Sequence, residues 1–446
     1  MTRLKTSEDS TPVDKKSKIQ LLKTKIIAIA NSSSQQLYFN YTSLLAVGIG
    51  TSTIQMSFIT AIQNLGSSLL QGVFGKASDK LGRKIILLLG FLIATITTCI
   101  LAFMTSPLVF MIIIAIYSIG ISMVIPAWNA LLGDISTEKT RTKLISTMSM
   151  IGTIGSSLIL LILGSITDFL PGKLMNHVPF EILNYNTSKA TDFLTLKYID
   201  KIPWGIVDKY RIMIFIGAFV FAIAAIIVVL IQETNKSKND KKNGSFFQAL
   251  KDKNFLTLAL VTSIWWFVMS FLWPIFPFVI KSVNPTNFQV ALLSVVFAIS
   301  SAGGQWLSGR IADKIGRRFT AFLGFISLCL VPLVLAFTYA WYIILIANLF
   351  GGFGNGIALV SLNSEILFLA GSEKRGIYTG MYNAIMGICT FTGSFTSGII
   401  FNSMLKTMEF SEAFPIFLLA IAAARMIASI PTLLLSRKGE NRKSTT

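Results

Sequence analysis

Twelve stretches of this chain stay apolar over the length that a lipid bilayer demands, and this property constrains the fold more than any other. They run near 26–48, 54–74, 85–105, 108–132, 144–166, 211–231, 254–280, 287–309, 319–338, 341–369, 377–402 and 411–435. A helix needs about 20 residues to cross ~30 Å of hydrocarbon. No water is present there to hydrogen-bond a free peptide group, so a spanning chain is either helical or a closed barrel. Barrel strands alternate apolar and polar residues, whereas these runs are continuous. The expected fold is an all-α membrane protein of twelve transmembrane helices. Only 13% of the 446 residues are charged, against about 25% in an ordinary soluble domain, so a water-soluble enzyme is a poor fit.

An even number of spans leaves both ends of the chain on one side. Segments 1–25, 75–84, 134–143, 233–253, 310–318, 371–376 and 436–446 then share that side and hold 30 of the 39 Lys and Arg. The short opposite loops near 49–53, 106–107 and 339–340 hold none, and the long one, 168–209, balances five Lys with five acids. This bias places both termini in the cytoplasm and explains the net charge of +19 without a nucleic-acid partner. The organisation expected is a cytoplasmic tail (1–25), a six-helix bundle (26–232) and a basic linker (233–253). A second six-helix bundle (254–435) and a tail (436–446) complete it. Residues 1–18 are polar and suggest no secretory signal. The 168–209 loop carries the single histidine, His177, and the glycosylation-type triplet Asn186-Thr187-Ser188. Cys99, Cys329 and Cys389 all sit in apolar stretches and offer neither a disulfide framework nor a metal spacing.

The chain repeats itself at a separation of 234 residues. Residues 75–84 read GKASDKLGRK and residues 309–318 read GRIADKIGRR. Gly75, Asp79, Lys80, Gly82 and Arg83 recur as Gly309, Asp313, Lys314, Gly316 and Arg317. The register extends through Gln71/Gln305, Leu89-Gly90-Phe91/Leu323-Gly324-Phe325, Gly120/Gly354 and Arg141/Arg375. Each residue type has a use in a tight cytoplasmic turn between two helices. Gly75 and Gly82 permit close approach and a left-handed backbone. Asp79 suits the positive end of a neighbouring helix, and Arg83 offers a fork of donors to a carboxylate. Such a loop can latch helices in one conformation and release them in another, while Lys76, Lys80 and Lys84 anchor topology.

This double Gly-x-x-x-Asp-Lys-x-Gly-Arg-Lys/Arg pattern resembles the loops between helices 2 and 3 and between helices 8 and 9 of the major facilitator superfamily of secondary transporters. The resemblance covers the chain apart from the outer loop and the tails. It implies two pseudo-symmetric six-helix bundles rocking about a central cavity. It also implies a cytoplasmic charge network in which the loop Asp and Arg meet Asp134 and Arg141 at the end of span 4, and Glu365, Glu373 and Arg375 near the end of span 10. Span 5 lacks the Gly-Pro pair of drug exporters in the family, and the sugar-porter signature after helix 6 is absent.

Charged residues within spans are costly and therefore informative. Arg211 and Glu412 lie near outer ends, Glu365 about one turn from the inner end of span 10, and Arg425 mid-way along span 12, where pairing with Glu365 is one expectation. Asn31, Gln35, Tyr38 and Thr42 share one face of span 1. They either line the cavity or bond a neighbouring helix; the family arrangement, with helices 1, 4, 7 and 10 lining it, favours the cavity. Span 7 carries Trp265, Trp266, Phe267, Phe271, Trp273 and Phe276, with Pro274 and Pro277 allowing a bend. These aromatics either stack on a solute or form an interfacial belt. Tyr117, Pro126, Trp128 and Asn129 lie on span 4, and Asn348, Asn355 and Asn363 on span 10. The cavity candidates are Asn31, Gln35, Tyr38, Asn129, Trp266, Trp273, Asn348 and Asn355, with Gln63, Asn64 and Gln305 as weaker ones.

A cavity without fixed charge suits a small neutral or amphiphilic organic solute moved by alternating access across the plasma membrane, with proton-coupled efflux as one form. A sugar or metabolite facilitator without ion coupling is the alternative, and a non-transporting sensor or scaffold is the alternative from another class. The partners expected are the bilayer, the solute and a proton, with the chain as a monomer. Nothing reads as a catalytic pairing, a metal site or a cofactor site, and no phosphate-binding loop suggests ATP.

Overall fold

The structure, a computed structural model, describes residues 15–135, 141–169, 204–231, 246–370 and 375–436. Helices α1 (Lys15–Gly48), α2 (Thr53–Leu69), α3 (Gln71–Leu81), α4 (Arg83–Phe103), α5 (Pro107–Ile135), α6 (Arg141–Phe169) and α7 (Trp204–Val229) make the first half. Helices α8 (Lys253–Met269), α9 (Phe276–Ser282), α10 (Asn287–Ile315), α11 (Arg317–Leu335), α12 (Trp341–Ala370), α13 (Arg375–Met404) and α14 (Phe410–Ser436) make the second. Residues 170–203, with His177 and Asn186, fall outside the described residues, as do residues 1–14, 136–140, 232–245, 371–374 and 437–446.

Nine of the described helices are individually long and apolar enough to cross a bilayer. The three remaining spans each depart from a simple apolar rod. Helix α1 is diluted by its polar run at Asn31–Gln36. The second span is interrupted at Leu70, between α2 and α3, and the seventh is interrupted between Met269 and Phe276. A broad set of Ile, Leu and Phe side chains lies exposed on the outer surface, Ile96, Ile162, Phe219 and Ile427 among them, as a lipid-facing surface requires. The chain is a twelve-span, nearly all-helical membrane protein.

The halves repeat in structure as they do in sequence. Helix starts at 53, 83, 107 and 141 recur at 287, 317, 341 and 375. Ser52 and Gln55 form a capping box on α2, and Thr286 and Gln289 form the equivalent box on α10. A Cβ at Gly90 would lie 2.8 Å from Gly120 O, and one at Gly324 would lie 2.8 Å from Gly354 O. In each half the third and fourth spans therefore cross backbone to backbone.

The seams between halves obey the same relation. Helix α6 packs on α10, with Gly164 against the Asn287 backbone, and α13 packs on α2, with Gly398 against Ser57 and the Thr53 carbonyl. Tyr41, late in α1, reaches Asn287 at the start of α10, and α2 begins a few residues after α1 ends. Residues 75–84 and 309–318 therefore lie together at one end of the molecule, termed the motif end, with 49–52 and 283–287 at the far end.

The motif is more helical than a ten-residue turn. Helix α3 runs through Gly75 and Asp79 to Leu81, and α10 runs through Gly309 and Asp313 to Ile315. The chain reverses at single residues, Gly82 (φ 100°) and Gly316 (φ 92°), in a region that a side chain disfavours. Gly75 and Gly309 are helical and need no left-handed backbone.

Candidate functional site

Arg83 opens α4 and reaches the end of α5, where it donates to Ala130 O at 2.6 Å and pairs with Asp134. A cation here meets both a carboxylate and the negative end of a helix. Lys84 donates to Val229 O at 2.7 Å and Ile231 O at 2.9 Å, and Lys23 to Leu230 O at 2.7 Å. These lysines satisfy the last carbonyls of span 6, a role beyond the anchoring expected of Lys84.

In the second half the charges are rearranged. The position equivalent to Asp134 is Phe368, and the Arg317 guanidinium lies 4.9 Å from its ring centroid. The acid stands one turn earlier, at Glu365, and Arg318 binds one of its oxygens through Nε and NH2, each at 2.9 Å. The side chains of Asp79, Arg141, Asp313 and Arg375 fall outside the described residues, as does Glu373. Arg425 does not pair with Glu365. It donates instead to Leu328 O and Met269 O.

Two uncharged clusters occupy mid-membrane positions, one in each half. In the first, Tyr38 is buried and stacks on Tyr117 at 3.6 Å, and Gln63 donates to its hydroxyl at 3.0 Å. Two turns back along α1, Gln35 donates to Asn31 at 2.8 Å, and both are half-buried. In the second, Trp266 donates to the Tyr382 hydroxyl at 3.2 Å and lies 6.5 Å from Trp273. Trp265, its neighbour, points the other way and stacks on Phe325 in the core. Gln63 sits on α2 and Tyr382 on α13, helices that pack across the seam with Gly387 against Ser68 and Asn64.

Other candidates lie elsewhere. Asn348 donates to Leu293 O at 3.0 Å and ties α12 to α10. Asn355 is half-buried between Gly354 and Gly356, where α12 crosses its neighbours. Asn129 is exposed beside Ala130, at the motif end rather than mid-span.

Sequence reasoning passed over the far end. Asp168 closes span 5, and its carboxylate accepts from the backbone N–H of Asn287 at 3.0 Å and of Phe288 at 2.9 Å. It thus caps α10 of the other half. Thr167 and Asn287 are joined side chain to side chain at 3.1 Å, and Tyr41 donates to Asn287 O at 3.2 Å. Lys281, in α9, is 5% exposed and donates to the Tyr210 hydroxyl at 3.3 Å, with its ammonium 4.6 Å from that ring. A lysine where the loops are otherwise poor in Lys and Arg was the available signal. Nearer the motif end of α10, a Cβ at Gly303 or Gly309 would meet nothing within 4 Å. These far-end bonds hold the halves together there.

A family model described as the Major Facilitator Superfamily matches residues 26–391 and again residues 258–445. The chain belongs to the Major Facilitator Superfamily. It is a membrane transporter rather than an enzyme, as the family indicates. Among solved structures it is similar to a mutant form of the nucleoside transporter NupG, at 11% identity and a TM-score of 0.71 over 93% of this chain and 99% of that one. It is also similar to a bacterial homologue of the human lysosomal transporter Spinster in an inward-facing, occupied conformation, at 16% identity and a TM-score of 0.69 over 94% and 97%. Likeness at these identities establishes the fold alone. No curated protein matches the chain. The two half-molecule clusters lie between the motif-end contacts and the far-end contacts.

Proposed function

We propose that this transporter moves a small neutral or amphiphilic organic solute by alternating access across the plasma membrane, as a monomer with both termini in the cytoplasm. The observation that carries the reading is the pair of uncharged clusters, Tyr38–Tyr117–Gln63 with Asn31–Gln35 on one half and Trp266–Tyr382 with Trp273 on the other. Phenols, amides and indoles bind rings and hydroxyls by stacking and hydrogen bonding, and a strongly ionic solute would find no counter-charge among these residues. The basic residues of the motif end support a cytoplasmic position for that end, and with it a reading of the far-end bonds as a state closed to the outside.

A thermal-shift screen of the purified full chain in detergent tests the solute class, since a ligand that binds the folded state raises its melting temperature. Uncharged aromatic or amphiphilic compounds should stabilise it, and Trp266→Ala with Gln63→Ala should abolish the shift. Stabilisation confined to polyanions such as sugar phosphates would overturn the reading.

Uncoupled facilitation is supported by one specific contact. Glu365 spends an oxygen on two Arg318 donors, which suits a latch better than a proton carrier. Glu365→Gln should therefore leave any pH-driven flux in proteoliposomes unchanged. Loss of that flux with the fold retained would return the proton to the mechanism.

A further inference from the structure

Arg425 is a fully buried guanidinium half-way along span 12, at a depth where an isolated charge is expensive. No described carboxylate pairs with it. Its two terminal nitrogens go to backbone carbonyls of two other spans: NH1 to Leu328 O at 2.9 Å and NH2 to Met269 O at 2.7 Å. Both carbonyls lack the partner that a helix would normally supply. Leu328 O should accept from residue 332, but residue 332 is proline and has no N–H. Met269 O should accept from Trp273 N, but span 7 has broken there and Trp273 N bonds Ser270 O instead. Arg425 thus answers two independent backbone defects with one side chain.

The break it touches is fastened on a second side. Ser394 donates to Ser270 O at 3.3 Å and Ser397 to Phe271 O at 2.6 Å, both from α13. Three consecutive carbonyls, those of residues 269, 270 and 271, are each held by a side chain of another span. Beyond the break lies α9, the short helix that carries Lys281 to Tyr210 at the far end.

We propose that Arg425 is a positioning residue for transport: it fixes the bend of span 7 by bridging its broken end to the proline defect of span 9, and so sets where α9 stands at the far gate. It acts through the backbone and does not touch the solute.

The test uses hydrogen–deuterium exchange of the full chain in nanodiscs. A second readout is the distance between spin labels at Ser106 and Asn284, on opposite halves at the far end. Arg425→Met should raise exchange roughly tenfold or more, the weight of one lost hydrogen bond to a charged group, in both 268–276 and 328–336. Adding Pro332→Ala restores an N–H to Leu328 O within span 9. The double variant should therefore recover exchange at 328–336 and thermal stability, while 268–276 stays loosened and the far-end distance stays shifted. Recovery of both segments together, or wild-type exchange in Arg425→Met, would overturn the proposal. Should Arg425→Met fail to fold, Arg425→Gln replaces it. Its single amide cannot span both carbonyls, so at least one segment must loosen, and wild-type exchange in both overturns the proposal equally.

Discussion

Gly82 and Gly309 belong to copies of one motif, yet they do different work. Gly82 turns the chain between α3 and α4 at φ 100° and ψ 137°, a region closed to side chains at a cost of roughly 1–3 kcal/mol. Gly309 lies inside α10 with nothing within 4 Å of a Cβ, where alanine favours helix by about 1 kcal/mol. Gly82→Ala and Gly316→Ala should therefore lower the melting temperature in detergent, whereas Gly309→Ala should hold or raise it. Equal losses at all three positions would mean that the reversal is not confined to residues 82 and 316. The motif revealed which residues matter without revealing how, because spacing carries no dihedral angle. Charge placement shows the same boundary. Arg83 and Asp134 were legible as partners through the family resemblance, but in the second copy the acid has moved from position 368 to Glu365 and is held by the second arginine of the motif, Arg318. Arg425 was legible only as an anomaly. Its partners are backbone atoms distant in sequence, one exposed by Pro332 and the other by a break, and no residue pattern announces a carbonyl without a donor.

Whole elements were easier to read than their joints. Apolar length located the spans because the bilayer enforces it. Interruptions at Leu70 and after Met269 depend on what neighbouring helices supply, and of the two only the second had a local cue, in Pro274 and Pro277. The start of α10 shows how far an element can depend on another half of the molecule. Its own capping box satisfies the amides of Gln289 and Thr286, and Asp168 from α6 takes those of Asn287 and Phe288. A helix of 29 residues thus has its first amides closed partly by the opposite bundle, with the carboxylate at the positive end of its dipole. Asp168→Asn keeps the shape but gives up the charge and part of the acceptor capacity, a loss of about 1–2 kcal/mol. Spin labels at Ser106 and Asn284 should report a population with a longer far-end separation in this variant. An unchanged distribution would demote Asp168 from gate to local cap.

At the scale of the molecule, the repeat is a statement about both seams. Carrying residues 141–169 forward by 234 superposes α6 on α13 in sequence, places Gly164 on Gly398, and replaces the half-buried Asp168 by the buried Asn402. The glycine contacts are duplicated, against Asn287 in one seam and Thr53 in the other, but the carboxylate is not. One seam therefore has a carboxylate on a helix start and its mate has an amide side chain at the matching position, so the two need not open at equal cost. Sidedness of the whole is proposed from the placement of Lys and Arg. With the native cysteines replaced, cysteines introduced at the exposed positions Lys80 and Lys314 should react with an impermeant maleimide from the cytoplasmic face alone, and one at Asn284 from the outer face alone; mixed labelling would break the topology. The symmetry itself is open to a sharper trial. In Asp168→Asn/Asn402→Asp the carboxylate is moved across the pseudo-twofold to the start of α2, whose Ser52 capping box leaves the amides of Thr53 and Ile54 in the place that Asn287 and Phe288 hold on α10. The longer far-end separation of Asp168→Asn should then shorten again, because a carboxylate over a helix start strengthens whichever seam contains it. If the double variant stays as open as the single one, the seams share a backbone trace without sharing a mechanism, and the first seam alone holds the outer gate.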